Sequence, residues 1–232
     1  MPRKIFISDI HGCLNTFNEL LDKLSLKKGD HLILLGDYID RGPHSKGVID
    51  RIGELRSAEF ALTILRGNHE QMLIHDYLSE TIKGWKDMAD EALKRSFGIE
   101  RLEELPTPYF DFCNELPFYK EAHGFIAVHA GLDFSNENPF HSKENLIWIR
   151  DWYKNIDYQW LGKRVIIHGH TPQTRKEIER QLEELEEKQI INIDGGAFLA
   201  EQKQNGLGQL CAFDWTNRKL YFQENIEESN KY

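Results

Sequence analysis

Five short runs of the chain end alike, with a carboxylate, amide or imidazole beside a glycine. They are Ser8-Asp9-Ile10-His11-Gly12, Gly36-Asp37-Tyr38-Ile39-Asp40-Arg41-Gly42, Gly67-Asn68-His69-Glu70, His129-Ala130-Gly131 and His168-Gly169-His170. Carboxylate, imidazole and amide oxygen suit borderline-to-hard divalent metals, and no thiolate is among them. Asp9 and His11 stand two apart, so in extended chain both project to one side and can chelate one ion. Asp37 can offer one oxygen to each of two ions, and Asn68, His129 and His170 can complete the second. A bridging carboxylate with separate donors on either side describes a two-metal site, with ions roughly 3.5–4 Å apart. Taken singly, each residue has a plainer explanation: an Asp after a strand is commonly a helix N-cap, and a lone His is commonly hydrogen-bonded structure. That plainer explanation is kept for His31, His44, His75, His123 and His141. It does not account for an ordered set of five.

For the clusters to meet, each must leave the same end of a buried strand. Apolar runs over residues 4–8, 31–35, 60–65, 125–128 and 165–167 directly precede them. Further strands are expected at 190–193 and in a closing hairpin, 209–214 with 219–222. Between the first runs, Leu14, Phe17, Leu20, Leu21 and Leu24 repeat at helical spacing over 14–26, as do Val48, Ile49, Ile52 and Leu55. Strand, helix, strand, helix, strand implies right-handed crossovers and a largely parallel sheet, whose ligands bind at the carboxyl strand ends. Glycines there let the backbone turn sharply. Residues 70–117 read mostly as helices with a loop at Pro106-Thr107-Pro108. Residues 175–188, charged but carrying Ile178, Leu182 and Leu185, read as a solvated helix.

The chain has 232 residues, 40% hydrophobic, without repeats or a linker-like stretch, so one domain over 1–232 is expected. Lys+Arg is 29 against Asp+Glu 38, a net charge of −9 that argues against nucleic acid as partner. No apolar run approaches the roughly 18 residues of a membrane span. Cys13, Cys113 and Cys211 are far apart, which argues against a disulfide scaffold or zinc finger. With no signal-peptide pattern at the start, a cytoplasmic location is expected.

Together, Asp9-x-His11, Gly36-Asp37-x-x-Asp40-Arg41-Gly42, Gly67-Asn68-His69-Glu70, His129-Ala130-Gly131 and Gly169-His170 resemble the five ordered motifs of the calcineurin-like metallophosphoesterases. The Asp-Arg-Gly ending and Glu70 resemble the phosphoprotein phosphatase branch. Residues 67–72 (GNHEQM) and 169–172 (GHTP) are similar to the bacterial, lambda-phosphatase-like subgroup. The resemblance covers about residues 5–214. It implies an α/β fold, with a central β-sandwich flanked by helices, and two metals at the strand ends. One metal would sit on Asp9, His11 and Asp37, the other on Asp37, Asn68, His129 and His170. His69 matches the general acid and Asp40 the carboxylate that orients it. Arg41, Arg150 and Asn68 match phosphate-binding positions. His168 matches no required position. Mn²⁺ suits the mixed donor set, with Fe or Zn as alternatives.

The expected activity is metal-dependent hydrolysis of phosphomonoesters by direct attack of a bridging hydroxide, without a phosphoenzyme. Phosphorylated serine/threonine proteins are the first expected substrate class. The alternative is a bis(5'-nucleosyl)-tetraphosphatase, using the same site on a dinucleoside polyphosphate. An inactive metal-binding interaction module is a remote third, since such proteins typically lose a ligand, the acid or an arginine. The segment 70–104, with Trp85, and the segment 175–188 are expected to flank the crevice and set substrate choice.

Overall fold

The computed structural model describes residues 2–58, 60–78 and 89–228. Strands β1 (Lys4–Ile7), β2 (His31–Leu34) and β3 (Ala61–Ile64) are parallel neighbours. Ile7 lies beside Leu34, and Leu34 beside Ile64, so the three strands stop at one line and the polar loops leave from one edge. The second sheet orders β4 (Tyr119–Ala122), β5 (Phe125–Val128), β6 (Val165–His168) and β7 (Ile190–Asn192). Its last three strands are parallel and deliver His129 and His170 from the equivalent edge. The hairpin β8 (Gln209–Asp214) and β9 (Lys219–Glu224) closes the first sheet antiparallel to β1. The expected parallel sheet is therefore split in two, and each half carries one antiparallel flank.

Side-chain alternation explains the sandwich. Phe6 and Ile33 point inward and pack with Phe125, Ala127, Val165 and Ile167 of the other sheet, Phe6 meeting Phe125 edge-on at 5.0 Å. Ile5, Ile7, Leu32 and Leu34 point outward, against helices α1 (Leu14–Leu24) and α2 (Ser45–Ser57). Ile126, Val128 and Ile166 face a third apolar layer with Leu146, Trp152 and Leu161. Strands covered on both faces read as continuous apolar runs, which is why the sequence shows them plainly. Helix α1 stops two residues short of the expected range because Ser25 turns left-handed, with φ 44°.

Residues 70–117 supply α3 (Asn68–Leu78), α4 (Ala89–Phe97) and α5 (Thr107–Asn114), and Trp85 lies outside the described residues. α6 (Lys143–Trp148) and α7 (Tyr158–Leu161) follow β5. The charged segment is two helices, α8 (Arg175–Glu183) and α9 (Leu185–Lys188), interrupted at Glu184. A capping box of Thr174 and Glu177 starts α8. Ile178 and Leu185 are buried in the core between the sheets, so the segment is a packed amphipathic pair rather than a purely solvated face. Strand β4 has no counterpart in the sequence reading: it is an edge strand, mostly exposed, with no apolar alternation to betray it.

Away from the polar loops, Arg3 and Asp30 tie β1 to the turn before β2. The Asp30 carboxylate accepts from Arg3 N (2.9 Å), Arg3 Nε (3.0 Å) and Lys27 N (2.9 Å). Burial opposes its charge, but these bonds outweigh burial and hold its pKa down to about 2. A folded-state pKa below the unfolded value gives stability that is present above about pH 4 and is lost as the pH falls through about 2. Asp30→Asn is expected to cost about 1–2 kcal/mol at pH 7. In denaturant titrations that penalty should shrink towards zero near pH 2.

Candidate metal centre

Three of the five polar loops turn through left-handed backbone at their strand ends. Among the described residues, six of the ten non-glycine positions with positive φ lie here: Asp9, His11, Asp37, Asp40, Arg41 and His170. Left-handed backbone at such residues costs of order 1–3 kcal/mol each and persists only where the surroundings impose it. Two glycines make the close approach possible. A Cβ on Gly67 would overlap Asp37 Oδ1, and one on Gly169 would overlap Ser8 Oγ and Asp9 Oδ2.

The structure brings Asp9, His11, Asp37, Asp40, Asn68, His69, His129 and His170 together, all of them buried. Asp37 is central: its Oδ2 is 3.4 Å from His11 Nε2 and 3.4 Å from His129 Nε2. The second ring nitrogens are tied down, since His11 Nδ1 donates to Ile39 O (3.0 Å) and His129 Nδ1 to Leu35 O (3.0 Å). This leaves each Nε2 facing Asp37. Asn68 Oδ1 lies 2.9 Å from His129 Nε2 and 2.9 Å from His170 Nδ1. Two candidate donor groups result among the described residues, His11–Asp37–His69 and Asp37–His129–His170, with Asp37 common to both. Asp9 stands beside these groups rather than in them; its carboxylate accepts from Ser8 Oγ and from His170 N (3.1 and 3.2 Å).

The electrostatics fit cations. Three buried carboxylates crowd one another: burial, with Asp37 nearby, pushes Asp9 up to about 6, and burial with Asp9 and Asp37 pushes Asp194 well above the carboxylate range. Burial also resists charge on Asp37, yet His129, His69 and His11 outweigh it and hold Asp37 well below that range. Burial drives His11 and His170 down to about 3, which leaves neutral imidazoles with a lone pair to offer. His170 Nε2 is buried without a hydrogen-bond partner among the described residues. At His129 Nε2, Asp37 Oδ2 and Asn68 Oδ1 both present acceptors, so a proton or a cation must lie between them. Divalent cations satisfy this donor set of oxygens and imidazole nitrogens.

His69 differs from His11, His129 and His170 in having a carboxylate on its Nδ1. Its Nδ1 donates to Asp40 Oδ2 at 2.6 Å, and although burial lowers its pKa, Asp37 and Asp40 together raise it. A raised pKa with Nδ1 held by a carboxylate favours a proton on the opposite ring nitrogen, available to a leaving group. The arginines sit at the exposed rim, on opposite sides. Arg41 lies over Phe198 (5.4 Å), whose ring meets His11 edge-on. Arg150 Nη1 donates to Thr171 Oγ1 (2.9 Å), next to His170. His168 is turned away: Nδ1 donates to Gly169 O (3.0 Å), and Nε2 faces the Tyr153 hydroxyl (3.2 Å).

Two buried residues join the site that the sequence reading leaves out of it. Asp194 comes just after β7 as Asp194-Gly195-Gly196, a polar residue beside glycine after an apolar run like the other five, and its Oδ1 accepts from Gly196 N (2.8 Å). Glu70 enters the sequence pattern only as a branch marker. Its carboxylate accepts from Asp37 N (2.9 Å), Tyr38 N (2.8 Å) and Gly67 N (2.9 Å), pinning the second and third loops together. Glu70→Gln exchanges an acceptor for a donor against backbone N–H groups. We expect it to cost about 1–3 kcal/mol in thermal or denaturant unfolding and to weaken metal affinity by loosening Asp37.

A two-sheet sandwich with a buried carboxylate–imidazole–amide cluster at its common strand ends defines a metal-dependent phosphoesterase scaffold. The chain belongs to the calcineurin-like phosphoesterase family, which it matches over residues 2–199. It is 31% identical over 131 residues to the symmetrical bis(5'-nucleosyl)-tetraphosphatase of Pseudomonas putida (strain GB-1), a match covering 54% of this chain and 41% of that protein. It thus spans about two-fifths of that relative's length. It is 26% identical over 222 residues to the asymmetrical bis(5'-nucleosyl)-tetraphosphatase PrpE of Halalkalibacterium halodurans, covering 82% of this chain and 83% of that one. In structure it is similar to a serine/threonine phosphatase from Saccharomyces cerevisiae, with TM-score 0.67, 16% identity, and 99% and 82% of the two chains covered. That last similarity speaks to the fold.

Proposed function

We propose that this chain hydrolyses dinucleoside tetraphosphates at a two-cation centre held by Asp9, His11, Asp37, Asn68, His129 and His170. The observation that carries the centre is the Asp37 carboxylate, with one oxygen 3.4 Å from an imidazole nitrogen on either side. The substrate class rests on the relatives, one of which is matched along most of both chains. Phosphoserine/threonine proteins form the second reading, favoured by the Asp40-Arg41-Gly42 and Glu70 endings of the motifs. Mn²⁺ is the proposed metal, and the cytoplasm the proposed location; among the described residues no helix is long and apolar enough to cross a membrane.

When bound, two divalent cations neutralise phosphoryl oxygens and acidify a water. The chain's own residues do the rest. Arg41 and Arg150, on opposite rims, hold the non-bridging oxygens in the bidentate geometry that lysine lacks. Asp40 fixes the His69 ring through Nδ1, so that the opposite nitrogen presents its proton to the leaving oxygen. The test is hydrolysis of diadenosine tetraphosphate and of a phosphoserine peptide, side by side, with Mn²⁺ and with EDTA. Faster Mn²⁺-dependent tetraphosphate cleavage supports the proposal. Faster peptide turnover moves the chain to the second reading, and activity on neither favours a non-catalytic metal-binding module.

A further inference from the structure

Beside the His170 face of the centre lies a cleft of about 740 Å³ between α3 and α6. It adjoins the site: Gln71 lines it two residues after His69, and Trp148 lines it with its ring 6.1 Å from His170. His170 is the one ring packed on Trp148 among the described residues, and it meets the indole at 88°, so the half-buried indole retains broad surface towards the cleft. Met72 and Phe118 add apolar wall. Two cations border it: Arg66 lies 4.7 Å over the Phe118 ring and exposed Lys143 lies 5.4 Å from the same ring. The Arg66 guanidinium is buried, with Nη1 donating to Gln71 Oε1 (2.7 Å) and Nη2 to Asn114 O (2.5 Å). Exposed Glu144, on the same helix as Trp148, offers carboxylate oxygens.

We propose that this cleft is a nucleoside subsite, taking the base and ribose of one end of a nucleoside polyphosphate whose phosphates lie at the metal centre; this rests on the function proposed above. A planar heterocycle stacks on Trp148 and fills the space against Met72 and Phe118. Lys143 and Arg66 set two positive charges in a wall that also carries Asp76 and Glu144, so the cleft has cations for phosphate oxygens and acids for hydroxyl or amino groups. Glu144 accepts from a sugar hydroxyl or a base amino group. The volume falls within the range of pockets that enclose small organic ligands.

The test uses the Mn²⁺-loaded full chain and two substrates, diadenosine tetraphosphate and p-nitrophenyl phosphate, the second having no nucleoside. Trp148→Ala is expected to raise KM for the tetraphosphate about 10-fold or more, Trp148→Phe to restore most of it, and neither to change p-nitrophenyl phosphate turnover more than about 3-fold. Lys143→Glu, an exposed change that does not threaten folding, is expected to raise the tetraphosphate KM alone. A wild-type chain that prefers the tetraphosphate, with variants that keep its KM, overturns the subsite and leaves the proposed function standing. If Trp148→Ala slows both substrates equally, Trp148 merely supports His170 and the subsite is overturned. A wild-type chain that turns over p-nitrophenyl phosphate and leaves the tetraphosphate intact overturns the proposed function, and the subsite with it.

Discussion

Asp37→Asn is expected to lower turnover by about 10³–10⁴-fold and to reduce bound Mn²⁺ from about two ions per chain to one or none. The size follows from the several kcal/mol that cation stabilisation of a transferring phosphoryl group supplies, converted at about 1.36 kcal/mol per decade. The substituted amide could still accept at its Oδ1 from His69 N, as Asp37 does at 3.0 Å, so the loop is retained while the charge is lost. The buried imidazoles would lose their counter-charge as well. His129, which burial alone would push down, stands at about 9 largely because of Asp37. Metal analysis after gel filtration, run beside steady-state kinetics, checks the prediction. A variant that keeps both ions and loses only activity would show that Asp37 is not the shared ligand.

The second large effect concerns His69. His69→Asn is expected to reduce turnover by roughly 10²–10⁴-fold, the range of a lost general acid, with metal content unchanged. The loss should depend on the leaving group. p-Nitrophenolate departs without a proton, so the deficit should be smaller on p-nitrophenyl phosphate than on an alkyl phosphate. The geometry makes this a pointed test, because His69 lies within ligand distance of His11 and Asp37 while Asp9 stands beside that group. Its hydrogen bond to Asp40, and the carboxylates that raise its pKa against burial, argue for the acid role. A loss of one ion in the variant, or an equal deficit on every leaving group, would make His69 a ligand instead.

What is legible in the sequence is legible through strand ends. Strands such as Phe125–Val128 are buried on both faces, so they appear as unbroken apolar runs, and an acid or imidazole with a glycine directly after them is conspicuous. Hence eight of the buried residues that the structure brings together could be chosen without coordinates. Other features have no local signal. The division of the strands into two sheets depends on β8 pairing with β1, across some 200 residues. Glu70 pins two loops through backbone N–H groups that no side-chain pattern announces. Arg41 and Arg150 reach the rim from opposite sides, and the cleft at Trp148 arises where α3 and α6 pass each other. Asp194 is the exception: its signal is present and similar in kind.

The sharing of Asp37 between two cations is tested most directly by a crystal of the Mn²⁺-loaded chain, read at the manganese absorption edge. Two anomalous peaks roughly 3.5–4 Å apart, with Asp37 between them and His69 bound to neither, is the result the site predicts. A single peak, or a first ion coordinated by His69 in place of Asp9, would contradict it.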